Sequence, residues 1–182
     1  MKDGTFIRSF TAKDGREVVL RAPKWSDLDD MLFFINSLVE EGAEIAAITK
    51  KSRDHEIDWV ASLLSRLERD KMVSVVADVD GRFIGHVEVS PKGGRSSHVG
   101  VLGIAILDGF REVGIGTEMM KEAEAQAKRL GLEIMTLDVY ATNERARHVY
   151  GKVGYCEVGC LPKGAVKDGE YIDVVMMTKE IA

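Results

Sequence analysis

An α/β chain with a mixed sheet and helices on both of its faces is what the order of apolar patterns predicts. Three observations carry that expectation. Aspartate–glycine turns at 14–15, 80–81 and 168–169 flank short β-branched runs, the signature of hairpins. Two stretches, 28–39 and 57–67, repeat apolar residues at helical spacing. From 98 to 161 strand and helix patterns alternate, and hairpins followed by such alternation suggest a mixed sheet rather than a purely parallel one.

Thr5–Phe10 and Arg16–Arg21 form the opening hairpin around Asp14-Gly15. Ser26 then precedes the stripe Leu28, Met31, Leu32, Ile35, Leu38 and Val39, with Asp29 placed to meet the free N–H groups of the first turn and Gly42 to stop the helix. The polar end Thr49–Arg53 leads into a second helix bearing Ile57, Val60, Leu64 and Leu67 on one face. Met72–Val79 and Arg82–Val89 pair around Asp80-Gly81. Counting back from that turn sets Val75 opposite His86 and Val73 opposite Glu88. Residues 91–97 read as a turn, 132–140 as a strand, 143–153 as a short helix, 155–161 as a strand broken by Pro162, and 171–177 as the last strand.

The centre of the chain is His98–Gly131. An apolar run to Leu107 is followed by Arg111-Glu-Val-Gly-Ile-Gly116 and a helix with Ile115, Met119, Ala123, Ala127 and Leu130 on one side, closed by Gly131. Glycines at a helix mouth let an anion approach bare backbone N–H groups, and the helix end adds roughly half a positive charge. The turn therefore reads as a pyrophosphate seat. It has neither the Gly-Lys-Ser/Thr of a Walker loop nor a clear three-glycine dinucleotide fingerprint.

With 182 residues, 45% hydrophobic and 30% charged, the chain is expected to form one domain over 1–182. No apolar stretch approaches the roughly 18 residues that cross a bilayer, and the first residues lack a signal-peptide core, so a soluble cytoplasmic protein is expected. A net charge of −5 argues against broad nucleic-acid affinity and suits cationic partners. Cys156 and Cys160 would lie some 13 Å apart along a strand, too far for a disulfide. His55, His86, His98 and His148 show no metal-ligand spacing with them, so no metal is expected.

Downstream of the glycine turn come Leu137-Asp-Val-Tyr-Ala-Thr-Asn143 and Ala146-Arg-His-Val-Tyr150-Gly-Lys-Val-Gly154-Tyr155. Together with Arg-x-x-Gly-x-Gly, this order resembles the GNAT acyltransferases over about residues 98–160. The resemblance implies a GNAT-like mixed, mostly antiparallel sheet whose fourth and fifth strands splay apart. The pantetheine arm of acetyl-CoA would lie in the slot, held by backbone of Ile104, Ala105 and Ile106. Pyrophosphate contacts would come from the turn opened by Arg111, at Glu112, Val113, Gly114, Ile115, Gly116 and Thr117, with Asn143 binding cofactor at the strand end. Glu112 and Val113 depart from the pattern, since many relatives carry glycine and a basic or amide residue there. The tail 164–177 resembles the closing hairpin of ribosomal-protein N-terminal, polyamine and related small-amine acetyltransferases.

By this resemblance Tyr150 meets the departing sulfur and the Ile106 N–H polarises the thioester carbonyl. Asp138 is the favoured base, acting through water, with Glu88 its rival on strand-pairing count. On residues alone, Tyr150 also fits a core aromatic and Asp138 a strand-surface carboxylate. The function implied is acetyl transfer from acetyl-CoA to a primary amine on a protein N-terminus, polyamine or other small molecule. The alternative is a non-catalytic acyl-CoA-binding or regulatory module. Apolar residues on both faces of Val174–Met177 suggest an edge covered in a homodimer.

Overall fold

A computed structural model describes residues 1–182. Its strands are β1 (Phe6–Thr11), β2 (Glu17–Arg21), β3 (Val73–Val79), β4 (Arg82–Pro91), β5 (Val99–Ile106), β6 (Ile134–Tyr140), β7 (Cys156–Lys167) and β8 (Glu170–Glu180). The helices are α1 (Leu28–Glu40), α2 (Arg53–Glu68), α3 (Ile115–Arg129) and α4 (Glu144–Lys152). One eight-stranded sheet runs in the order β1-β2-β3-β4-β5-β6-β8-β7. All its pairs are antiparallel except β5 with β6.

Helices cover both faces, as the patterns predict. α3 lays Ile115, Met119, Ala123 and Ala127 against Val75, Val87 and Leu137, with α4 beside it. The α1 and α2 side chains Met31, Phe34, Leu38, Val60 and Leu63 meet Val76, Phe83 and Leu107 on the opposite face. Each large side chain buried this way stabilises the fold by roughly 1.5–3 kcal/mol.

Local chemistry departs from the sequence reading in four places. At the start of α1, Ser26 lies in a single 3₁₀ turn and Asp27 takes the cap position. The Asp27 carboxylate accepts the Lys24 N–H (2.9 Å) and binds the buried Arg21 guanidinium through two bonds (2.7 and 2.9 Å). Asp29 is thus free of the helix end, and it pairs with Arg53 at 3.1 Å.

The β3–β4 register is one residue off the count. Asp78 pairs with Phe83 but Ala77 with Gly85, so Ile84 is the extra residue of a bulge. Val76 therefore faces His86 and Ser74 faces Glu88. Pro162 does not end β7, because β7 is the sheet's outer strand and shifts register between Leu161 and Ala165, where no ladder N–H is needed. Finally, Val174–Met177 is no edge: β8 lies between β6 and β7 and buries Val175 and Met177.

β5 and β6 pair only from Val99–Val101 to Ile134–Thr136 and then part. This is the splayed pair, the fifth and sixth strands of this chain rather than the fourth and fifth that the resemblance implies.

Candidate active site

The strand alternation of β5 decides which backbone groups enter the split. The Leu107 N–H donates to Ile84 O across to β4 (2.9 Å), so the N–H and C=O of Ala105 also turn to β4. Those of Ile104 and Ile106 turn toward β6, beyond the point where β6 has left. Ala105 lines the split without offering it backbone, and the Ile106 carbonyl already accepts Arg111 Nε at 2.7 Å. Arg111 also pairs with Glu41, so its guanidinium is a brace for the turn.

At the open end the chain enters α3 through Gly114, whose φ of +90° only glycine adopts without strain. Gly114 has no side-chain cap, and the first intrahelical bond runs from the Glu118 N–H to Gly114 O. The N–H groups of Ile115, Gly116 and Thr117 are therefore free at the positive helix end. This cluster of free donors fits a diphosphate, and the slot backbone beside it fits an extended amide-bearing arm.

Glu112 sits in the left-handed region at φ +66°, a conformation that costs a non-glycine residue about 1 kcal/mol. Its exposed carboxylate pairs with Arg145 of α4 at 3.2 Å, bridging the mouth of the slot. A second cation, Lys13, comes from the β1–β2 turn. Its N–H donates to Val113 O (3.0 Å), and its side chain runs past Gly114, within 3.7 Å of where a Cβ would stand. Both cations line the wide cavity, of about 1220 Å³, that holds the glycine turn. Neither belongs to a local motif, since Lys13 reaches the turn from 100 residues away in sequence.

A second cavity of about 570 Å³ lies on the α1–α2 face of the same split. Here β4 presents His86 and Glu88, β6 presents Asp138, and α2 presents Glu56 and Trp59. Ser74 Oγ and His86 Nε2 share a hydrogen bond of 2.7 Å. Burial brings the His86 pKa down to about 4, so the ring is neutral at pH 7. Glu88 lies across Gly103, whose missing Cβ would stand 3.7 Å from Glu88 Cγ. Burial raises the Glu88 pKa above the ordinary carboxylate range, the nearby Arg66 charge opposing. Asp138 is exposed. Glu56 is only 4% exposed, and the sequence reading placed no chemistry there because glutamate in a first helical turn is ordinary.

Tyr150 joins the two cavities. It stands on α4 yet lines both, with its ring 6.2 Å from that of Tyr155, and burial raises its pKa, so the phenol stays protonated. Asn143 lines both as well. Its Oδ1 caps α4 by accepting the Ala146 N–H (3.0 Å), which leaves the amide nitrogen free to donate. The loop over the junction is tied down by Asn36, which exchanges two bonds with the Lys51 backbone (2.7 and 3.1 Å). A further tie runs from Glu44 to Lys167 (3.2 Å).

A sheet that parts beside an uncapped helix mouth, with a carboxylate-lined cavity behind the parting, is the frame of an enzyme that moves an acyl group from a nucleotide thioester. The family model for the GNAT acetyltransferases matches residues 22–155, and the chain belongs to that family. An L-amino acid N-acetyltransferase of Escherichia coli is 30% identical over 114 residues, 62% of this chain and 70% of the relative. An N-alpha-acetyltransferase of Sulfurisphaera tokodaii is 25% identical, covering 87% and 92%. Among solved structures, a ribosomal-protein-alanine N-acetyltransferase from Brucella melitensis superposes with a TM-score of 0.79 at 23% identity, covering 88% of this chain and 98% of the other. A phosphinothricin acetyltransferase from Sinorhizobium meliloti in complex with acetyl-CoA gives 0.78 at 20%, covering 90% and 88%. The protein is an acetyl-CoA-dependent N-acetyltransferase. No helix is long and apolar enough to cross a membrane, the cysteines are free and exposed, and no cluster of metal-ligating side chains occurs.

Proposed function

We propose that the protein acetylates a primary amine by direct attack on acetyl-CoA, with Glu88 as the base, Tyr150 at the leaving sulfur and the 112–117 turn under the diphosphate. The observation that carries this reading is the position of Tyr150 where the two cavities meet, with its hydroxyl protonated and without a partner in the protein. Acetyl-CoA supplies the activated acetyl thioester. The free donors of Ile115, Gly116 and Thr117, with Lys13 nearby, hold its diphosphate, while Ile104 backbone, Ile106 N–H and the Asn143 amide line the arm's path.

An ammonium near pKa 10 must lose a proton before its nitrogen can attack the carbonyl carbon. Burial makes Glu88 a stronger base than an ordinary carboxylate, and its placement across Gly103 puts it beside the split. These two facts favour it over the exposed Asp138, which remains the second candidate and would act through water. As the nitrogen–carbon bond forms and the carbon–sulfur bond breaks, negative charge moves to sulfur. A free phenol is already about 1.5 pKa units above a thiol, so full transfer from it costs roughly 2 kcal/mol. Burial raises Tyr150 further, so it stabilises the thiolate by donating a hydrogen bond.

A homodimer through β7 is also part of this reading, since Val158, Leu161 and Val166 are exposed on the sheet's outer strand. Light scattering at the monomer mass of 20.1 kDa across concentrations would remove it. The central experiment is thiol release from acetyl-CoA with pooled amines, peptides and polyamines, alongside calorimetric titration of the cofactor. Acceptor-dependent release supports transfer. Tight binding with no release by any acceptor would favour a binding or regulatory module.

A further inference from the structure

Glu56 is the one buried carboxylate in the inner cavity that neither the transfer chemistry nor an ion pair engages, Glu44 being tied to Lys167. It lies in the first turn of α2, 4% exposed, on the cavity wall with Trp59. Its backbone N–H donates to Ser52 O (3.1 Å), but no hydrogen bond and no ion pair reaches its carboxylate. The Lys51 and His55 charges act on it only at a distance, and burial outweighs them, raising its pKa. A carboxylate largely withdrawn from water, opening onto the cavity and without a partner, is stabilised by a bound cation.

The geometry points to an acceptor that is a small dication: one amine reacts beside Glu88, and a second ammonium or guanidinium group of the same molecule is held by Glu56. This rests on the acetyl-transfer reading above. Trp59 stands edge-on to His86 with ring centroids 5.8 Å apart, and Arg66 reaches Ser90 Oγ (3.1 Å), so α2 runs along β4. Glu56 is one helical turn before Trp59 and Glu88 two residues beyond His86, which sets the carboxylates on the order of 10 Å apart. His86 between them is neutral, so the ring adds no positive charge against the guest, and Lys51 is the one lysine on the same wall.

The cavity wall also carries the apolar side chains of Met31, Phe34 and Phe83, which suit a methylene chain. A carboxylate-bearing acceptor would face Glu44, Glu56, Glu88 and Asp138 together, against a lysine only at Lys51. The pinned 41–52 loop and the cavity volume of about 570 Å³ favour a small molecule over a folded protein's terminus.

The test measures thiol release by the full chain with α,ω-diamines of increasing length, n-alkylamines matched in length, and amino acids. A diamine should exceed its matched monoamine in kcat/KM by about 10²-fold, the worth of one buried charge-assisted contact. Glu56→Gln should erase most of that ratio through the diamine's KM, and Glu56→Asp should move the optimum to a longer diamine. Acetyl-CoA affinity by calorimetry verifies that both variants are folded. Equal use of monoamine and diamine, preference for an amino acid, or an unchanged ratio in Glu56→Gln overturns the dication. Cofactor binding with no release by any amine overturns the transfer reading itself and the dication with it.

Discussion

The two cavities on either side of the split solve opposite electrostatic problems. In the proposed reading the outer one receives an anion, and its lining offers free N–H groups at a helix end, a left-handed Gly114 and side-chain cations at the rim. The inner one is built from side chains: Glu56, Glu88 and the neutral His86 sit among apolar residues, where burial shifts each group's proton affinity. A backbone site keeps its donors when nearby side chains change, and Glu112 stands in a glycine conformation with its charge answered by Arg145. In the inner site each side chain's identity matters. Substitutions there should change chemistry, while those outside should change affinity.

The largest effect expected is for Glu88→Gln, a fall in turnover of about 10³-fold with acetyl-CoA affinity kept. The wild-type acid limb of kcat/KM should lie above the ordinary carboxylate range, because burial raises Glu88. Asp138→Asn should leave that limb in place. If instead Asp138→Asn removes the limb and Glu88→Gln does not, the base is Asp138.

Next comes a stability effect from His86. Unfolded, the ring takes a proton near pH 6.5, whereas the folded chain resists until about 4. The unfolded state binds more protons in that window, so stability falls as pH drops through it, by about 3 kcal/mol. Glu56 and Glu88, raised by burial, act in the opposite sense, since they lose stability as pH rises. The readout is therefore the difference between wild type and His86→Gln in urea melts at pH 4.5 and 7.

Tyr150→Phe should lower turnover by about 10²-fold with cofactor affinity nearly unchanged, because only the hydrogen bond to the departing sulfur is lost. In the outer site Gly116→Val should weaken acetyl-CoA by about tenfold with a smaller effect on folding. A Cβ at Gly116 meets only the far end of the Ile106 side chain, at 3.2 Å. Smallest of all, Glu112→Gly should tighten acetyl-CoA by about threefold, since a screened carboxylate near the anion is removed and the exposed ion pair lost with it contributes under about 1 kcal/mol. A Glu112→Gly variant that binds more weakly would make the Arg145 bridge part of the seat.

Periodicity and turn chemistry are local properties, and the sequence alone determined what depends on them. Most strands and helices and the glycine mouth of α3 stand where neighbouring residues dictate, the start of α1 and the run of β7 past Pro162 excepted. The order of motifs carried the family and with it the split. Tertiary structure alone decided what depends on residues far apart in the chain. The bulge at Ile84 moved His86 and Glu88 one step from the turn count, because strand register answers to packing on both faces as well as to the turn. It set Glu88 in shelter across Gly103 and left Asp138 in the open, and it brought Lys13 beside Gly114. It buried Glu56, whose helical position predicts only an exposed dipole partner. A carboxylate's proton affinity follows from the surface that other elements remove from water, and no window of sequence around it contains that information.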